Sequence, residues 1–123
     1  GAGATQAKDY KATQPLLTTT KTNIGQPLRY PTGQARVVSL IVTLQPGEAT
    51  GRHKHPVPTY GHILSGEVTV DYGTGGKKVY RRGDTFVEAI DHWHDGRNTG
   101  KVPCRILVVF IGATRVPNVV RPK

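Results

Sequence analysis

The side chains of this chain best suited to chemistry are its histidines. All five, His53, His55, His62, His92 and His94, lie between positions 53 and 94. His53 and His55 form a His-X-His pair. Extended backbone repeats its side-chain direction every second residue, so both imidazoles point the same way, about 6.6 Å apart along the chain. That reach suits two nitrogens converging on one ion, each about 2.0–2.1 Å from it. A third donor must arrive from elsewhere in the fold, and His94 is the candidate. Other chemistries lack their residues. The single cysteine, Cys104, sits beside an apolar run and reads as a small core residue. No Ser-His-Asp or Cys-His nucleophile is apparent, and there is no phosphate-binding or dinucleotide glycine fingerprint.

The elements that must position these histidines read as short strands. Residues 16–22 are rich in β-branched types, 28–30 make a brief extended piece, and 35–44 is the most strongly marked strand. Its near-continuous apolar character implies burial on both faces, or on one face with a partner chain on the other. A turn at 45–48 leads into the first histidine segment, and Pro56 and Pro58 then make a rigid corner. Residues 60–65 read as a strand. In 67–72 polar and apolar residues alternate, so Val68, Val70 and Tyr72 should face the core. Residues 73–76 form a hairpin loop, 77–80 return, 85–89 are a strand, 92–98 follow, and 104–111 make a final buried strand. Nine or ten short strands with no segment of helical period indicate an all-β sandwich or small barrel.

The whole chain sets outer bounds. Its 123 residues suit one domain with its own core. Residues 1–14 read as a flexible, small-residue leader that is disordered or lies across another subunit, and 15–123 as the domain. There is no 18-residue apolar run and so no membrane span. One cysteine excludes an internal disulfide. The formal net charge of +9 is spread along the chain, with a local cluster only at Lys77, Lys78, Arg81 and Arg82. That pattern attracts anions without forming a nucleic-acid groove. The compartment stays open between the cytoplasm and export.

Two motifs in this chain resemble those of the cupin superfamily, in its small single-domain form. The family's first motif is a glycine, five residues, His-X-His, three or four residues, a glutamate, six residues and a glycine. Here Gly47, His53, His55, Thr59 and Gly66 occupy those positions. The second is a glycine, five residues, proline, one residue, glycine, two residues, histidine, three residues and asparagine. Here Gly83, Ala89, Asp91, His94 and Asn98 occupy them. The resemblance implies a jelly-roll barrel or sandwich with a metal bound by His53, His55 and His94. It also implies a homodimer, as does the apolar strand at 35–44.

Thr59 stands where the family's glutamate ligand would be, while Ala89 and Asp91 replace turn residues, and Asp tolerates turn geometry. Three neutral imidazoles with open positions can hold one divalent transition metal, zinc, iron, nickel, copper or manganese, and the residue types do not choose. His62 has the opposite strand parity to Thr59 and would point away from the site unless a bulge intervenes. It is a candidate fourth ligand or pocket-lining group. Tyr60 and His62 are the candidate catalytic residues. His92 reads as an exposed loop histidine, Trp93 as a wall or rim, and Asn98 as a loop brace. The expectation is a metal-dependent enzyme on a small organic substrate, an anionic one among the options, by oxygenation, isomerisation or lysis. The alternative is a non-catalytic module that binds a small ligand or metal.

Overall fold

The computed structural model describes residues 10–123, so residues 1–9 of the expected leader lie outside the described residues. Seven strands are present among the described residues: β1 (Ala35–Leu44), β2 (Thr59–Ser65), β3 (Glu67–Asp71), β4 (Lys77–Arg81), β5 (Thr85–Val87), β6 (Asp95–Arg97) and β7 (Cys104–Ala113). They form a four-stranded sheet ordered β1-β7-β2-β5 and a three-stranded sheet ordered β4-β3-β6. Every strand pairing is antiparallel. The inner faces of the two sheets meet in one apolar core that includes Leu44, Ile63, Val68, Val70, Tyr72, Cys104 and Ile106. The architecture is an all-β sandwich, and the alternation through β3 and the residue after it sets the core face as expected, with Val68 1%, Val70 5% and Tyr72 0% exposed.

The described residues form fewer strands than the expected nine or ten. Residues 16–22 do not form a strand, and their backbone pairing is a single bridge from Lys21 to Pro27. β-branched residues favour a pleated surface only where a neighbouring strand covers them, and most of this segment is exposed. The first histidine segment is likewise irregular and is tied down by isolated bridges. The loop at 73–76 contains a short 3-10 turn, Gly73–Gly75.

The reading of 35–44 as buried on both faces does not hold within one chain. Alternate residues Leu40, Val42 and Leu44 line the interior cavity. Val37 and Ile41, of the other parity, remain 67% and 46% exposed. They pair with Ile111 and Leu107 of β7, so an apolar stripe covers the outside of the larger sheet.

Two turns show why the motif positions matter. Gly66 has φ +78, and a Cβ there would lie 2.6 Å from the Pro103 carbonyl oxygen, so only glycine fits. Asp91, in the place of a family glycine, has φ +51. Asp is among the few residues that enter this left-handed region at modest cost. The conformation lets the Asp91 N–H donate to the His55 carbonyl at 2.8 Å.

Candidate metal centre

Backbone pairing brings the three predicted ligands together. His53 and His94 exchange two backbone hydrogen bonds, each 2.9 Å, across an antiparallel bridge. Directly opposed residues of this kind present their side chains on the same face. His55, two residues along, shares that face. The ring centroids of His53 and His94 are 4.4 Å apart, those of His53 and His55 4.9 Å, and those of His55 and His94 5.0 Å. One ligand nitrogen from each lies within 4.8 Å of the others, a group able to hold one metal ion.

The hydrogen bonds decide which nitrogens are available. The Nδ1–H of His53 donates to the Gly51 carbonyl at 2.7 Å, that of His55 to the Asn118 carbonyl at 2.9 Å, and that of His94 to the His92 carbonyl at 2.8 Å. A carbonyl oxygen only accepts, so each proton sits on Nδ1 and each Nε2 keeps its lone pair. Outer carbonyls that fix the tautomer in this way are the usual support of metal-binding imidazoles. Burial reinforces the neutral form. It lowers the pKa of all three rings, taking His55 down to about 3 against the pull of the Asn118 carbonyl.

The cluster opens on a cavity of about 320 Å³ between the two sheets. Its walls are mainly apolar, with Val42, Val70, Phe86, Ile106 and Phe110 among them, while Thr50, Thr59 and Glu88 join the histidines. The exposed lining residues Leu40, Val119 and Arg121 mark its mouth.

Glu88 is the residue that sequence reasoning missed. Its side chain is buried, and its Oε1 lies 3.7 Å from His94 Nε2. Burial pushes the carboxyl up to about 6, against the opposing pull of the Tyr72 hydroxyl and the Ala89 amide. A signal was present: Glu88 shares strand parity with Phe86, and an acid in line with a core phenylalanine is uncommon without a partner. The C-terminal residues were missed as well. The Asn118 carbonyl orients His55, and Val120 and Lys54 exchange backbone hydrogen bonds of 2.9 and 3.0 Å.

Other expected participants stand elsewhere. Thr59 and Gly61 face the cavity, whereas Tyr60 and His62, of the opposite parity in β2, are not among its lining. The His62 ring instead bonds the Thr85 hydroxyl at 2.7 Å, and the structure brings neither residue to the histidine cluster. His92 is half-buried rather than exposed, its Nε2 bonded to the Tyr72 carbonyl at 2.6 Å. Trp93 lines a second depression, on the other side of His94, with Arg52 and Lys54 over its ring at 5.2 and 4.7 Å. Asn98 is 1% exposed and braces the loop through Leu44, Val102 and Gly100.

The two-sheet sandwich and the three inward-facing imidazoles together define a class. The cupin domain model matches residues 40–110, and the chain belongs to that family. Among solved structures, it is similar to an oxalate decarboxylase of Lactobacillus farciminis in a formate complex, with 24% identity and TM-score 0.60, over 72% of this chain and 27% of that one. It is also similar to a predicted oxalate decarboxylase of Thermotoga maritima, with 29% identity and TM-score 0.55, over 63% of this chain and 67% of that one. A sugar phosphate isomerase from Silicibacter pomeroyi is 23% identical with TM-score 0.54, over 61% and 50%. The chain thus spans about a quarter of the length of the Lactobacillus enzyme it resembles. A search of curated proteins found no match. Among the described residues no helix is long and apolar enough to cross a membrane.

Proposed function

We propose that this chain is a metal-dependent cupin enzyme acting on a small organic molecule that carries an anionic group. His53, His55 and His94 are its metal ligands. The observation that carries this reading is the set of three bare Nε2 atoms turned toward one cavity while each Nδ1 is tied to a carbonyl. A bound divalent metal supplies Lewis acidity, a water acidified to a pKa near 7 in the zinc case, or redox chemistry with oxygen. The chain's own residues supply the rest. The apolar walls lower the polarity around the reacting end, which strengthens charge interactions there. Arg121 at the mouth offers a permanent cation to an incoming anion. The Thermotoga structure, described as a predicted oxalate decarboxylase, supports lysis of a small carboxylate ahead of oxygenation or isomerisation.

The test begins with elemental analysis of purified protein and of a His53→Ala/His55→Ala variant. A transition metal near one per chain, lost in the variant, is expected; unchanged metal content in the variant would refute the ligand assignment. Metal-loaded protein is then offered small mono- and dicarboxylates while carbon dioxide release and oxygen uptake are followed. The apolar walls favour a second reading, a non-catalytic module that holds an apolar ligand. Under that reading native mass spectrometry finds a retained ligand and no carboxylate is turned over.

The apolar outer stripe of the larger sheet supports a homodimer that covers Val37, Ile41 and Ile111, which are exposed in a single chain. That pairing is part of the same proposal.

A further inference from the structure

We propose that Glu88 is the fourth protein ligand of the metal centre, supplying from its place just after β5 the carboxylate that position 59 lacks. This inference rests on the three-histidine reading above. Strand register places the residue. Tyr60 faces Val87 and Gly61 faces Phe86 across the β2–β5 pair, and one step further the Glu88 N–H donates to the Thr59 carbonyl at 2.8 Å. Glu88 is therefore the lateral neighbour of Thr59 and projects on the same face. Cross-strand neighbours hold their Cβ atoms about 4.5–5.5 Å apart, a gap that a glutamate side chain can span. Position 59 leaves it room, because the Thr59 side chain is short and its hydroxyl is turned back to the Val57 carbonyl at 3.0 Å.

The chemistry of the contact suits a cation shared by the two groups. Glu88 Oε1 is buried and has no hydrogen-bond partner. The nitrogen it faces, His94 Nε2 at 3.7 Å, is the one left without a proton when Nδ1 donates to the His92 carbonyl. Two lone pairs thus confront each other inside the protein with no hydrogen between them. A buried carboxylate oxygen without a partner is costly and is retained where a positive charge compensates it. Two ligand atoms about 2.1 Å from one ion at a tetrahedral angle lie about 3.4 Å apart, close to the separation seen.

The experiment compares wild type, Glu88→Gln, Thr59→Glu/Glu88→Gln and His53→Ala/His55→Ala. Zn²⁺ affinity is measured against a chelating dye, the site is read by Co²⁺ visible absorption, and melting is followed in the metal-free state. Glu88→Gln should weaken Zn²⁺ binding by at least about tenfold, the low end of what loss of a supporting partner alone costs. It should also change the Co²⁺ spectrum and melt no lower than wild type without metal. Moving the acid back with Thr59→Glu should restore both affinity and spectrum. A Glu88→Gln protein with wild-type affinity and spectrum overturns the inference while leaving the three-histidine site intact. So does one whose only defect is a lower metal-free melting temperature. Wild-type Co²⁺ binding by the double-histidine variant instead sinks the underlying reading.

Discussion

The C-terminal residues are a part of the metal site that can be removed without touching a ligand. The His55 Nδ1–H is held by the Asn118 carbonyl, and the backbone at Val120 is paired with Lys54, the residue between the two histidines. Truncation after Pro117 removes both, and Val120→Pro removes the N–H that donates to the Lys54 carbonyl at 2.9 Å. The core does not depend on this segment, since none of residues 118–123 belongs to the buried apolar cluster. The fold should survive while His55 loses its orientation and its tautomer preference. Loss of such an outer partner typically costs 10–100-fold in metal affinity, about 1.4–2.8 kcal/mol. Competition of Zn²⁺ between the truncated protein and a chelating dye measures this directly, with strand content checked by circular dichroism. A truncated chain that keeps its strands and binds Zn²⁺ within twofold of the intact chain would show that the carbonyl does not orient the ring.

Other expectations concern stability and assembly. Asn98→Ala removes three side-chain hydrogen bonds at a buried position. It should cost on the order of 3 kcal/mol and lower the melting temperature by about 10 °C, with metal stoichiometry unchanged in the folded fraction; a loss under about 0.5 kcal/mol in urea titration contradicts the brace. Metal-free protein should become less stable as pH falls below about 6.5. His55 is near 3 when folded and 6.5 when unfolded, so the unfolded chain takes up the proton first, at a cost to the native state of about 2 kcal/mol by pH 5. His53 and His94 act in the same direction. Glu88 acts in the other: its folded value of about 6 exceeds the unfolded 4.5, so its burial becomes less costly as pH falls through that window. Urea midpoints between pH 7.5 and 5 that stay level or rise would show that the histidines are not held neutral. Val37→Glu with Ile41→Glu should convert a dimer to monomer in gel filtration at micromolar concentration, and a wild type already eluting as monomer removes the pairing proposal.

Much of this protein is legible in local chemistry. Alternation in residues 67–72 sets which side chains enter the core because a strand has only two faces. The His-X-His spacing sets two imidazoles on one face for the same reason, and the glycine at 66 marks a turn that no side chain could enter. Apolar run length misleads where burial depends on neighbours: 35–44 is a strand, yet its outer face is left uncovered by this chain. Residues 16–22 have the composition of a strand but, among the described residues, no strand beside them to pair with.

Only the tertiary structure could join His53 to His94, since that contact is a backbone bridge between segments about 40 residues apart. It alone sets Glu88 beside Thr59 and the Asn118 carbonyl behind His55, because lateral neighbours across a sheet, and the direction of a main-chain oxygen, leave no periodic trace in sequence. The donor types are written in the chain. Which of their atoms keep a free lone pair, and where those atoms meet, is fixed by strand register and by the carbonyls that hold the outer nitrogens.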